Sequence, residues 1–437
     1  MNIYEELQWR GLIADCTNSE NVDVLVEGGK VSDNAPGLWH RKNITLYCGF
    51  DPTADSLHVG NLVPLLALRR FQDAGHHPIA VAGGATGSIG DPSGKTAERQ
   101  LLTKEILDHN IASVKVQLAK LLDFETKQNP ARLVDNASWT QNISFLDFLR
   151  DIGKHFSVNQ MVAKESVRAR MEDRDVGISY TEFSYMLLQA FDFMVLCRDA
   201  NCELQIGGSD QWGNITAGIE LTRKKLGKQV FGLTLPLITN ADGSKFGKSV
   251  SGAIWLDPKR TSVEDFYQFW IRTDDRDVIR YLKFFTFLSR EEIEELEKQH
   301  QAKPEARIAH QALAKELRDL IHPSTAGVAE RVTKILFGTL FENYTSDDWE
   351  FLSKNSHSVE IEKVKLIGMP LVELLVLSGL SASKGQARKD VEGRGISINS
   401  NPALPNFGYN IQASDIQLDK YLRLRKGKKN YVVVTAR

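Results

Sequence analysis

Residues 44–61 read ITLYCGFDPTADSLHVGN. The first seven, ITLYCGF, are rich in β-branched and aromatic residues, the pattern of a buried strand. Asp51-Pro-Thr-Ala-Asp-Ser56 is a turn, and an apolar-periodic helix is expected over about 57–75. On its first turn His58 and Asn61, three residues apart, share a face. Gly60 lets a ligand approach the backbone closely. The free N–H groups of a helix start suit phosphate.

The same alternation continues outward. HPIAVAGG (77–84), ARLVDN (131–136), CELQIGG (202–208) and FGLTLPLI (231–238) have strand character, with helical stretches over 95–123, most of 143–200 and between the last two strands. Strands alternating with helices predict an α/β fold, a Rossmann-like parallel sheet covered on both faces. From 258 to 352 the pattern is almost wholly helical, with i,i+4 pairs such as Glu294–Lys298 and Lys315–Asp319. Residues 353–369 are polar and mixed. The expected organisation is a Rossmann-like domain with a connective insertion over 1–257, an α-helical domain over 258–352, a linker over 353–369 and a small α+β domain over 370–437.

Of the 437 residues, 42% are hydrophobic and 25% charged, enough apolar material for two or three cores and too much for a disordered chain. No apolar run approaches the ~18 residues of a membrane span, and the acidic, amphipathic N-terminus lacks the order of a signal peptide. Four cysteines, without metal-ligand spacing, suggest a reduced cytoplasmic protein. The formal net charge of −2 excludes a uniformly basic nucleic-acid binder, yet it conceals a division. Residues 1–369 hold 43 basic and 51 acidic side chains, a net of −8, and residues 370–437 hold 11 and 5, a net of +6. Five of the seven residues of Arg423-Leu-Arg-Lys-Gly-Lys-Lys429 are basic. A tail of reversed sign suggests a separate polyanion-binding module, a solvated basic patch being the alternative.

Four further segments carry chemistry. GGATGSIGDPSGK (83–95) resembles a P-loop but fails its spacing, since Ile89 stands where the first glycine is required. What remains is a glycine-rich lip with one acid, Asp91, able to pair with an amine or to serve as a turn residue before Pro92. On the helix 181–200, Tyr185, Gln189 and Asp192 form one polar stripe among Phe183, Met186, Leu187, Ala190, Phe193 and Met194, and polar groups so placed need partners. GGSDQWGN (207–214) joins a strand to a helix, where Asp210 could take ribose hydroxyls and Gln211 a carboxylate; Asp210 could equally cap the helix. Lys245-Phe-Gly-Lys-Ser249 puts two lysines and a hydroxyl on a glycine-softened loop that could close over polyphosphate.

Together these segments resemble the class I aminoacyl-tRNA synthetases. LHVGN (57–61) and KFGKS (245–249) look like that class's two signature motifs. With YCGFDPT (47–53), GGATGSIGDPSGK, TEFSYMLLQAFDF (181–193) and GGSDQWGN, the likeness is to the bacterial-type tyrosine enzymes and spans essentially the whole chain. Asn61 stands where the family often has His, and Phe246 and Gly247 replace Met and Ser. Residues 370–437 resemble the S-four-like RNA-binding domain, through LSASKGQARKD (380–390) and GRGISIN (393–399).

The resemblance implies that Tyr47 and Asp192 hold the phenol hydroxyl of tyrosine, that Asp91, Tyr185 and Gln189 hold its ammonium, and that Gln211 faces its carboxylate. It implies an ATP site lined by Gly49, Asp51, Thr53, His58, Gly60, Gly208, Asp210 and Lys248. His58, Asn61, Lys95, Arg99, Lys245, Lys248 and Ser249 would stabilise the transferring phosphates. Lys384, Arg388, Lys389, Arg394, Arg423, Arg425, Lys426, Lys428 and Lys429 would face RNA. ATP with Mg²⁺, tRNA(Tyr) and a second copy of the chain are the expected partners, with residues 139–165 (Trp139, Phe145, Phe148, Phe156 to Glu165) the expected dimer contact. A tryptophan enzyme of the same class is disfavoured by Tyr47 with Asp192 and by the RNA domain. A noncatalytic RNA-binding relative is disfavoured by the intact lysines 245 and 248.

Overall fold

In the computed structural model the described residues are 2–17, 43–93, 102–164, 167, 168, 171, 177–244, 246–249, 252–323, 344–399, 408–427 and 430–437. The chain divides into two compact units, 1–256 with 273–313, and 257–272 with 314–437.

The first unit is built on a six-stranded sheet. Its strands are β1 (Asp15–Cys16), β2 (Thr45–Phe50), β3 (His77–Ala82), β4 (Arg132–Asp135), β5 (Leu204–Gly208) and β6 (Phe231–Leu235), in the order β1-β6-β5-β2-β3-β4. All neighbours are parallel except β1, a two-residue edge strand antiparallel to β6 that alternation does not announce. From β2 the chain moves to β3 on one side and returns to β5 on the other. The crevice beyond the carboxyl ends of β2 and β5 is therefore the switch point at which such sheets bind ligands.

Helices α1 (Ile3–Arg10), α2 (Leu62–Asp73), α3 (Lys104–Leu121), α4 (Tyr180–Ala200) and α5 (Trp212–Leu226) belong to this unit. The expected helix at 57–75 begins instead as a 3₁₀ turn, Val59–Asn61, and becomes α-helical at Leu62. Pro64 is accommodated because it falls in the first turn of α2, where its missing N–H has no intrahelical partner. Helix α4 starts at a Ser179 cap whose hydroxyl accepts from Glu182 N and stops at Asn201, in the left-handed region. It packs closely on α5 because Gly218 carries no side chain: a Cβ there would lie 3.0 Å from the Phe193 ring.

The expected helical domain at 258–352 is not one body. Helix α6 (Val263–Ile271) groups with the C-terminal residues, and helix α7 (Val278–Phe285) with the N-terminal ones. The physical reason is burial. Val263 joins a core with Trp349, Leu352 and Tyr421, while α7 buries Tyr281, Leu282 and Phe285 and its C-terminal carbonyls accept from Arg10 and Arg70.

The second unit contains α8 (Ser346–Asn355), β9 (Ser358–Ile361), α9 (Leu371–Leu377), α10 (Lys384–Glu392), β10 (Ile396–Ile398), β11 (Tyr421–Lys426) and β12 (Asn430–Ala436), with sheet order β10-β11-β12-β9; β7 (Lys248–Ser249) and β8 (Gly252–Ala253) belong to the first unit. The expected linker at 353–369 is overturned here. Its residues 358–361 pair in parallel with β12, and Ile361 and Leu366 are buried in the core formed with Leu371, Leu422 and Val434. Its polar composition misled because an edge strand buries few of its side chains. Among the described residues no helix is long and apolar enough to cross a membrane.

Candidate active site

A cavity of about 300 Å³ opens at the switch point. Its walls include Tyr47, Gly49, Asp51, His58, Asn61, Asp91, Tyr185, Gln189, Asp192, Gly208, Asp210 and Gln211, so residues spread over 165 positions of sequence meet in one place. β2 delivers Tyr47 and Gly49, and the turn after it delivers Asp51, His58 and Asn61. The loop after β3 delivers Asp91, α4 the Tyr185–Gln189–Asp192 stripe, and the end of β5 Gly208, Asp210 and Gln211.

At the apolar end, Tyr47 is 2% exposed against the Phe193 ring, and among the described residues its hydroxyl has no hydrogen-bond partner. Asp192 is also buried. Asn136 Nδ2 donates to one of its oxygens at 3.0 Å and Trp139 Nε1 to the other at 2.7 Å. Burial outweighs these donors and pushes the Asp192 carboxyl up to about 7, while burial and the nearby Asp192 raise Tyr47 well above the ordinary phenol. Neither Asn136 nor Trp139 is among the expected site residues, Trp139 being expected in the dimer contact instead. Nothing in their spacing marks them, because they reach Asp192 from the short helix after β4 across more than fifty residues.

In the middle of the cavity Asp91 is the hub. It accepts from Gln211 Nε2 at 2.7 Å, from Ser93 N at 2.9 Å and from Asn214 Nδ2 at 3.5 Å, and Asn214 also donates to Gln189 Oε1 at 3.1 Å. The Tyr185 hydroxyl donates to Asp51 Oδ2 at 3.2 Å, and burial with the nearby carboxylates raises its pKa well above that of an ordinary phenol. Gln205, buried on β5, adds a further amide whose oxygen has no partner among the described residues.

At the mouth, His58 and Asn61 form a reciprocal cap. Gly60 N donates to His58 Nδ1 at 3.0 Å, and His58 N donates to Asn61 Oδ1 at 3.0 Å. With Nδ1 accepting, the proton of a neutral imidazole sits on Nε2. Gly60 is required for this arrangement, since a Cβ would lie 2.8 Å from the ring. Gly208 is similarly constrained, with Asp210 Oδ1 at 2.5 Å from such a Cβ. Thr53 is exposed and outside the cavity wall. Beside the mouth runs a hairpin of β7 (Lys248–Ser249) and β8 (Gly252–Ala253), followed by Trp255, which bridges to His58. Lys248 and Ser249 thus come beside His58 through the backbone; Lys95, Arg99 and Lys245 lie outside the described residues.

Among known proteins, the family described as tRNA synthetases class I (W and Y) matches residues 40–337, and the C-terminal domain of tyrosine–tRNA ligases matches residues 350–434. The chain is 55% identical to the tyrosine–tRNA ligase of Opitutus terrae over 437 residues and 50% identical to that of Bacillus caldotenax over 436, covering 99% of each protein and of itself. The chain belongs to the bacterial-type tyrosyl-tRNA synthetases of class I. A C-terminally truncated mitochondrial tyrosyl-tRNA synthetase from Aspergillus nidulans superposes with a TM-score of 0.67 at 31% identity, over 77% of this chain and 94% of that one. The reaction is the ligation of tyrosine to tRNA, with ATP as substrate.

Two sequence expectations outside the cavity change. Arg423, expected to face RNA, is 3% exposed: its guanidinium lies over the Tyr344 ring and donates to the Tyr344 hydroxyl and to Asn399 O. β11 is covered on both faces, so its inward-alternating arginine has become a packing residue. Lys426 is paired with Asp390 at 2.6 Å, and Arg425 is half-buried; Lys384, Arg388, Lys389 and Arg394 are exposed on and just after α10. Lys428 and Lys429 lie outside the described residues. In the expected dimer contact, Trp139, Phe148 and Phe156 pack inward, whereas Phe145, Leu146, Leu149 and Val158 are exposed; Glu165 lies outside the described residues.

Proposed function

We propose that the cavity holds L-tyrosine with its phenol hydroxyl between Tyr47 and Asp192, its ammonium at Asp91, Tyr185 and Gln189, and its carboxylate near Gln211. The observation that carries this reading is the buried Tyr47 hydroxyl, without a partner among the described residues, beside a carboxylate already fixed by Asn136 and Trp139. A phenol hydroxyl satisfies both groups, donating to Asp192 and accepting from Tyr47. Phenylalanine leaves the Tyr47 hydroxyl unmet and deprives Asp192 of a third donor, at a cost of about 1–3 kcal/mol.

ATP then lies toward the mouth, along Gly49, Asp51, Thr53, His58, Gly60, Gly208 and Asp210, with Asp210 on the ribose. An oxygen of the tyrosine carboxylate attacks the α-phosphorus, the bond to the bridging oxygen breaks, and pyrophosphate leaves. The chain forms no covalent bond to substrate. It contributes position and charge, with the Nε2–H of His58 and the cations Lys95, Arg99, Lys245 and Lys248, with Ser249, on the phosphates. Asn61 has a mixed part. Its Oδ1 is engaged by His58 N, so its amide N–H₂ is the group left for phosphate. Among the described residues no group of three His, Cys, Asp or Glu side chains is placed to hold a metal ion, and the Mg²⁺ we propose enters with ATP on phosphate oxygens. In the second step a hydroxyl of the terminal ribose of tRNA(Tyr) attacks the adenylate carbonyl and AMP leaves.

The exposed cations of α10 are the proposed RNA face. The exposed Phe145, Leu146, Leu149 and Val158 support a homodimer contact. The proposed location is the cytoplasm. Tyrosine-dependent ATP–pyrophosphate exchange, with tryptophan and phenylalanine as controls, tests the assignment: exchange with tyrosine alone is expected, and exchange with tryptophan would overturn it.

A further inference from the structure

We infer that α7 is the strut that sets the lysine-bearing loop, and that Asp277 and Arg280 are positioning residues for ATP activation. The inference rests on the proposed role of Lys245 and Lys248.

Asp277 stands at the residue before α7, its carboxylate turned away from the helix's own N–H groups, and is 3% exposed, a costly place for a carboxylate unless it is bonded. Its Oδ2 accepts from Ala241 N at 2.8 Å, and its Oδ1 accepts from Arg280 at 2.6 Å. The same Arg280 nitrogen donates to Thr239 O at 2.6 Å. One turn further on, the Tyr281 hydroxyl donates to Asn240 Oδ1 at 3.0 Å. Asn240 in turn closes the turn that leads into Lys245, its backbone N donating to Ser244 O at 3.0 Å and its amide to Ser244 Oγ at 2.8 Å. Three consecutive loop residues are thus held by one end of one helix.

Phe246, further along the sequence, is held by the same helix. Phe246 is buried, stacked on Phe285 at 5.4 Å and edge-on to Tyr281 at 5.2 Å. The described residues before and after position 245 in the sequence are thus both anchored, the first by polar contacts and Phe246 by aromatic ones, while Gly247 takes a positive φ of 77° into the β7–β8 hairpin.

The far end of α7 is fixed as well. Its last carbonyls lack intrahelical partners. Arg10 donates to Lys283 O at 3.0 Å and Thr286 O at 3.2 Å, and Arg70 donates to Phe284 O at 3.2 Å and Thr286 O at 2.7 Å. Arg70 lies on α2, the helix that His58 and Asn61 begin. One helix thereby ties the histidine motif to the lysine loop, and a shift of about 1 Å at either end is enough to cost ~100-fold in rate.

The test uses the full-length protein and reads the rate of tyrosine-dependent ATP–pyrophosphate exchange beside tyrosine affinity by equilibrium dialysis. Asp277→Ala is expected to slow exchange about 10- to 100-fold with tyrosine affinity unchanged, and Asp277→Asn, which can still accept from Ala241 N, to recover part of that loss. Tyr281→Phe removes one hydroxyl and keeps the ring against Phe246. It is expected to slow exchange a few-fold, and it serves where Asp277→Ala fails to fold. Unslowed exchange in these variants, or tyrosine affinity falling in step with rate, overturns the positioning role. Lys248→Ala is the reference. If Lys248→Ala is not slowed, the reading of the loop itself falls; if it is slowed while Asp277→Ala and Tyr281→Phe are not, only the positioning role falls.

Discussion

The tyrosine cavity and the basic face of α10 are both proposed to meet charged ligands, and they are built in opposite ways. In the cavity the carboxylates Asp192 and Asp91 are buried and held by neighbouring donors, Asp192 by two and Asp91 by three. On α10 the cations stand in solvent. Chemistry at one phosphorus atom needs dipoles that do not reorganise during the reaction. Holding a long polyanion needs charge density and tolerates imprecise placement. Single substitutions should therefore be severe in the cavity and mild on the face.

Lys248→Ala should give the largest effect. Removing one charge from the developing pyrophosphate is expected to lower the activation rate by about 10²–10³ while leaving tyrosine binding intact, measured by single-turnover adenylate formation and equilibrium dialysis. Equal losses in both would contradict a role confined to the transition state. Asp192→Ala comes next. It removes the acceptor that distinguishes a phenol from a phenyl ring, and the tyrosine-to-phenylalanine ratio in exchange should narrow by about 1–3 kcal/mol, or roughly 5- to 150-fold. An unchanged ratio would show that Asp192 does not read the hydroxyl.

A pH effect follows from the same carboxylate. Burial holds the Asp192 carboxyl up to about 7 against an ordinary 3.8. A donated phenol hydroxyl favours the ionised form, because both oxygens already accept from Asn136 and Trp139 and a bound proton removes acceptor capacity. Protons and tyrosine then compete, so affinity is full above about pH 7 and falls as pH drops through it, approaching tenfold per unit. Tyrosine binding measured between about pH 5.5 and 8.5 should show this fall, and Asp192→Asn should flatten it. A flat profile in the unsubstituted protein would mean that Asp192 stays ionised throughout.

The contrast also explains what the sequence disclosed. The parallel sheet was legible because β2, β3, β5 and β6 are buried on both faces and leave apolar runs. The cavity residues were legible because they fall in short motifs, with the Tyr185, Gln189 and Asp192 stripe marked by its spacing. Asn136 and Trp139 were not, since a residue that supports another across fifty positions leaves no local pattern. Charge counting located the basic module but could not tell a solvated arginine from a packed one: Arg423 is buried on β11 against the Tyr344 ring, and Arg388 is exposed on α10. The supposed linker failed for a related reason, because an edge strand such as β9 needs little apolar sequence to pair.

The smallest effects should fall on the proposed RNA face, and they separate its two kinds of arginine. Arg388→Ala removes one exposed charge. Binding of tRNA should weaken only a few-fold, the slope of log affinity against log salt should drop by about 0.7–0.9, and adenylate formation and melting should not change. Arg423→Ala deletes a buried guanidinium that satisfies Asn399 O and covers Tyr344. Its salt slope should stay as it was while the melting transition of the C-terminal unit falls, since the loss is one of packing and hydrogen bonds rather than of a phosphate contact. If Arg423→Ala instead lowered the salt slope as Arg388→Ala does, its charge would reach RNA through the sheet and burial would not be the criterion that divides structural from RNA-facing cations in this fold.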